Sequence, residues 1–123
     1  MSKIVAERIL QKSGSSVWVA ARIYAPEKIA HSTEWSCRIE VQGLGDPWEK
    51  SIIGVDSFQA LYSALRVLCA HIERYEQSLT FLDGEEGDAG LPLIIPWDFG
   101  ASLKTEIYQL INKKISESFA EDS

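Results

Sequence analysis

Asp83, Glu85, Glu86 and Asp88 set four carboxylates within one short stretch, spaced by Gly84 and Gly87 and followed by Gly90. Hard cations such as calcium take several oxygen ligands, and closely set carboxylates on a loop supply them. The spacing lacks the third acidic or amide position and the closing glutamate of an EF-hand loop. No histidine lies nearby to suit a transition metal. The expectation is a solvated acidic loop that a basic partner orders on contact, with no metal and no cofactor. A second group, Trp18, Arg22, Tyr24 and Arg38, mixes aromatic rings with guanidinium groups, the residue types enriched where proteins bind one another. If Val17, Val19, Ala21 and Ile23 point inward, then Trp18, Arg22 and Tyr24 point outward, and Arg38 and Glu40 share that face.

Catalytic arrangements are thin. His31 sits in a loop between Ala30 and Ser32, and His71 falls outside the apolar arc of its helix. A serine or cysteine nucleophile needs a base within hydrogen-bond reach, and no Gly-x-Ser-x-Gly element is present. Gly43 and Gly45 lead into Asp46-Pro47 instead of a helix start, so they do not cradle a phosphate. Asp56, Glu73 and Asp98 are acidic, but nothing in the sequence brings them together. No catalytic residue is assigned.

The composition bounds the remaining classes. The chain has 123 residues, 46% hydrophobic and 24% charged, enough for one hydrophobic core and a single domain over 1–123. Twelve Lys and Arg against 18 Asp and Glu leave a net charge of -6, without the basic excess that nucleic-acid binding by counterion release requires. No apolar run reaches the roughly 20 residues of a membrane span. Charge recurs at Glu7 and Arg8 before a signal-peptide core can form, which points to the cytoplasm. Cys37 and Cys69 then read as reduced thiols packed in the core.

The elements that must position these groups read as strands first and helices after. Strands are expected at about 3–12, 17–24, 35–42 and 48–54. Between 35 and 42, Trp35, Cys37, Ile39 and Val41 alternate with Ser36, Arg38, Glu40 and Gln42, the period of a half-buried strand. Short polar connections favour antiparallel pairing. In the first strand Ile4 and Leu10 have opposite parity to Val5 and Ile9, which a bulge would reconcile. Asp56 N-caps a helix over about 56–76, with Gln59 completing a capping-box arrangement. Its apolar arc (Phe58, Leu61, Leu65, Leu68, Cys69 and Ile72 among others) is wide enough to predict cover along its side. A second helix over about 101–119, capped by Ser102, carries Leu103, Ile107, Leu110, Ile111, Ile115 and Phe119 on one face. Between the helices, Leu79 to Leu82 is a candidate short strand, and the proline-flanked run from Leu91 to Trp97 is expected to cross the edge of the core. The fold class is α+β: a four-stranded, mostly antiparallel sheet followed by two helices packed on one face.

The segments Gly43-Leu44-Gly45-Asp46, Gly54-Val55-Asp56-Ser57-Phe58-Gln59-Ala60-Leu61 and Asp83-Gly84 to Gly90-Leu91-Pro92 resemble a family of small uncharacterised bacterial proteins. The resemblance covers roughly residues 4–92 and implies a short antiparallel sheet leading into a helix start. That motif is a strand end, an N-cap and a first helical turn, so it speaks to fold, and no functional residues come with it. The second apolar helix departs from the family pattern. The same element is also similar to one in small bacterial immunity proteins, which neutralise toxins by binding them. The resulting expectation is a non-enzymatic cytosolic protein-binding module, most concretely an immunity-like inhibitor of a basic partner, without nucleic acid or membrane as partner. Two alternatives remain open: a metal-dependent or small-molecule-binding enzyme built on the acidic loop and Asp98, and a homo-oligomeric structural protein.

Overall fold

The computed structural model describes residues 3–75, 79–81, 89–92 and 100–121. Six strands and two helices follow in the order β1 (Ile4–Lys12), β2 (Trp18–Tyr24), β3 (Glu27–Lys28), β4 (Trp35–Gln42), β5 (Trp48–Gly54), α1 (Ser57–Glu73), β6 (Leu79–Thr80) and α2 (Ala101–Glu121). The α+β class is as expected, with six strands in place of four. All pairings are antiparallel, and across the sheet the order is β6, β1, β2, β4, β5. Of the two additional strands, β6 falls on the candidate short strand that begins at Leu79, whereas β3, with two residues, is too short for any alternation to register in the sequence.

β3 is a continuation of β2 after an interruption. Ile23 pairs with Ile39 and Glu27 with Ser36, so four steps on one side answer three on the other. Ala25-Pro26 fills the difference, and Pro26 has no N–H to give the ladder. A second irregularity lies where parity required it: Ile4 pairs with Tyr24 but Ala6 with Ile23, leaving Val5 as the extra residue of a bulge. The β1–β2 hairpin is closed by Lys12 N–H donating to the Val17 carbonyl at 3.0 Å. Val17 itself is exposed at the hairpin end instead of pointing inward.

One sheet face is buried. Leu10, Val19, Ala21, Ile23, Cys37, Ile39 and Val41 form it, and α1 covers it with Ala60, Ala64, Leu68, Cys69 and Ile72. Burying each large aliphatic side chain contributes about 1.5–3 kcal/mol. The β1 side is closed by Leu79 and Ala89, both fully buried, with Phe81 and Leu91 packed at the margin. Leu91 thus bears on the core edge as expected, whereas residues 93–97 lie outside the described residues.

The start of α1 explains why it lies so close to the sheet. Asp56 has extended backbone and accepts from Gln59 N–H at 2.8 Å, while the Gln59 side-chain carbonyl accepts from Val55 N–H at 2.7 Å. Gly54 at the end of β5 has no Cβ, and the Ala60 backbone occupies that space. Leu68, Cys69 and Ile72 of the expected arc face the sheet together with Ala60 and Ala64, so the buried stripe is shifted toward the alanines, and Phe58 and Leu61 are exposed on the flank without the expected cover.

The second helix corrects the expectation that both helices pack on one face. Among the described side chains of α2 none is buried; Leu110 is 66% and Phe119 72% exposed. Periodicity identifies an apolar face but not what covers it. The helix begins at Ala101 as expected, but Lys104 N–H donates to the Gly100 carbonyl at 3.1 Å, so Ser102 lies inside the helix and is not its cap. Among the described residues no helix is long and apolar enough to cross a membrane.

Candidate protein-binding face

The sheet face opposite α1 is built by the alternate residues of the same strands. Since Val19, Ala21 and Ile23 go inward, Trp18, Ala20, Arg22 and Tyr24 go outward. Pairing then sets Arg22 between Glu7 on β1 and Glu40 on β4, and Glu40 beside Glu49 on β5. Arg38 lies on the same face, one pleat further along β4.

These residues form a continuous ionic ladder. Arg22 donates from Nε to Glu7 at 2.6 Å and from a terminal nitrogen to Glu40 at 2.9 Å and to Gln42 at 3.2 Å. Glu40 also accepts from the Tyr24 hydroxyl at 3.2 Å, with an Arg38 nitrogen 3.8 Å from its second oxygen. Arg38 donates to Glu49 at 3.1 Å and lies flat on the Tyr24 ring, 3.6 Å from its centroid. The hydrogen bonds to Glu7 and then Glu40 raise Arg22 above its ordinary range, so its charge is permanent. Tyr24 is itself buried beneath Arg38, so Arg22 and Arg38, each held by several partners, are what the ladder presents to solvent, in place of the expected exposed tyrosine.

Around this ladder lie apolar groups in contact with solvent: Trp18 at 61% exposed, Ile9 and Ile53. Ala20, between Ile9 and Gln42 in the pairing, leaves a low point in the middle. Of the residues singled out from sequence, Arg22, Tyr24 and Arg38 are thus brought together. Trp18 shares their face but stands apart at the hairpin end, opposite Gln11. Asp83, Glu85, Glu86 and Asp88 lie outside the described residues, as does Asp98. Glu7 and Glu49 were missed; once the strand register is fixed, their outward parity places them on the ladder.

Three further groups bear on chemistry. Burial raises both the Cys37 and the Cys69 thiol, Cys69 with a further push from Glu73 and an opposing one from Arg8, which keeps them protonated and poorly nucleophilic. His71 stacks on Trp48 with centroids 3.8 Å apart and planes 5° from parallel, an arrangement that needs the β5-to-α1 packing and left no mark in the sequence. Arg8 lies over the Phe81 ring and donates to the Gly90 carbonyl, tying the first strand to the segment after β6. Among the described residues, no three His, Cys, Asp or Glu side chains converge to hold a metal ion. Each carboxylate of the ladder faces a guanidinium.

No curated protein and no solved structure matches this chain. A family model does, that of a domain of unknown function designated DUF6968, over residues 6–93. The match begins in β1, takes in the whole sheet, α1 and the Gly54-to-Leu61 turn, and ends before α2. The chain belongs to the DUF6968 family.

Proposed function

We propose that this protein is a non-enzymatic binding module that docks another protein on the outer face of its sheet, most concretely as an immunity-like inhibitor of a basic partner in the bacterial cytoplasm. The observation that carries the reading is the uncovered face itself. An antiparallel sheet with one solvated face normally presents polar side chains there. Here an exposed Trp18 and two isoleucines flank a rigid Arg–Tyr–Glu ladder. Trp, Tyr and Arg dominate binding energy at interfaces, and preorganised side chains lose little entropy on binding. The net charge of -6, with four carboxylates between 83 and 88, adds a field that draws in a basic partner and speeds association.

The test is affinity capture from an extract of the source organism at low salt, with mass spectrometry. Wild type is run beside Trp18→Ala and a variant with Asp83→Asn, Glu85→Gln, Glu86→Gln and Asp88→Asn. The expected result is one basic protein retained by wild type, lost with Trp18→Ala, and captured more slowly and with flatter salt dependence by the loop variant. Equal retention by all three proteins, or no specific capture, overturns the reading.

A further inference from the structure

We infer that α2 is a self-association element: two copies of the chain pair through it, antiparallel, about a two-fold axis at Ile111. The first observation is its pattern. Leu103, Ile107, Ile111, Ile115 and Phe119 recur at every fourth residue and form one unbroken apolar ridge. Ridges of side chains interdigitate where two helices pack, and the central three residues of this one, Ile107, Ile111 and Ile115, make the contact. The ridge is also palindromic about Ile111. An antiparallel partner sets Ile107 against the partner's Ile115 and Ile111 against the partner's Ile111, the self-complementarity an isologous interface needs.

Charge selects the same direction. A parallel pair would stack Lys104 and Lys114 on their own copies beside the seam. The antiparallel pair lays Lys114 against the partner's Tyr108, where a cation–π contact forms. Opposed helix dipoles favour it as well.

The exposure of the helix is a third observation. Ile107 and Ile111 are half-buried, while Leu110, Ile115 and Phe119 around them stand 48–72% exposed. The helix also lies beyond the family match, which ends at residue 93.

Sedimentation of the full chain, from low to high micromolar, reads the mass directly. The expected result is twice 13.7 kDa for wild type and 13.7 kDa for Ile111→Asp, with the same urea midpoint for both when each is measured as a monomer. Mild oxidation fixes the geometry. Ile111→Cys links to its own copy, whereas Ile107→Cys does not, because its counterpart lies about 12 Å away along the pair, beyond the about 7 Å limit between Cα atoms of a disulfide. Cys37 and Cys69 are buried, so wild type supplies the uncrosslinked background. A wild type that stays monomeric overturns the proposal and leaves α2 to its own chain's Phe58 flank, another protein or a lipid surface. A dimer that survives Ile111→Asp places the interface elsewhere, and Ile107→Cys linking to itself makes the pair parallel; each overturns it too.

Discussion

Replacing Gly54 with alanine probes the contact on which α1 is seated. A Cβ at this position stands 2.8 Å from Ala60 Cα and 2.9 Å from the Gln59 carbonyl carbon, and closer still to the Ala60 nitrogen. Carbon atoms rest at about 3.5–4.0 Å, so the end of β5 and the first turn of α1 must part by roughly 1 Å. No side chain can rotate to absorb this, because all three atoms are backbone. Nor can the helix drift freely, since Ala60 and Ala64 are fully buried against the sheet. Overpacking costs about 1–3 kcal/mol, and a rigid backbone collision belongs at the top of that range, about 3 kcal/mol. With a few degrees per kcal/mol for a chain of this size, Tm falls by roughly 12 °C. Urea titration followed by far-UV circular dichroism measures it. Gly14→Ala is the control, since Gly14 has a φ of 70° and no atom within 4 Å of the added Cβ. Its cost is limited to left-handed backbone strain, about 1–2 kcal/mol. If Gly54→Ala costs no more than Gly14→Ala, the helix does not sit on the strand end as described.

Asp56→Ala removes the acceptor for Gln59 N–H and is expected to lower stability by about 1 kcal/mol, with Asp56→Ser retaining most of it, both read from urea midpoints. His71 is held below its ordinary value of 6.5 by burial first, then by Arg74 and Lys50. The unfolded chain therefore takes up this proton at higher pH than the folded one. The contribution of neutral His71 is present above pH 6.5 and lost as pH falls through the depressed value. A wild-type midpoint that does not decline relative to His71→Phe in acid refutes the assignment. In a double-mutant cycle, Arg22→Met and Glu40→Gln should couple by about 1 kcal/mol, since Arg22 is partly exposed and Glu40 nearly buried. Zero coupling would mean that the ladder is not held in place.

What the sequence revealed follows from how local each feature is. Alternation along residues 35–42 sets the two faces of β4, and the conflict between Ile4 and Val5 calls for the bulge that the Ile4–Tyr24 and Ala6–Ile23 pairs reveal. Asp56 and Gln59 declared the helix start through three residues of chain. The pairing of Lys12 with Leu79 was hidden, because β6 offers two residues and its partner lies at the far end of the domain. The shift of the buried stripe on α1 was hidden also: hydrophobicity ranks Phe58 above Ala60, whereas close approach at Gly54 rewards the smaller side chain. On the candidate face, residue type pointed to Arg22, Tyr24 and Arg38, but only register could add Glu7 and Glu49.

The bond from Arg8 to Gly90 makes the two ends of the family unit depend on one another. It joins a residue near the beginning of residues 6–93 to one near their end, and Gln11 beside Thr80 repeats the junction within the sheet. The clamp is a single side chain, and what it holds is the segment that seats Ala89 and Leu91 against the core. A change confined to the first strand is therefore felt some eighty residues further along the chain, where that segment closes the β1 side.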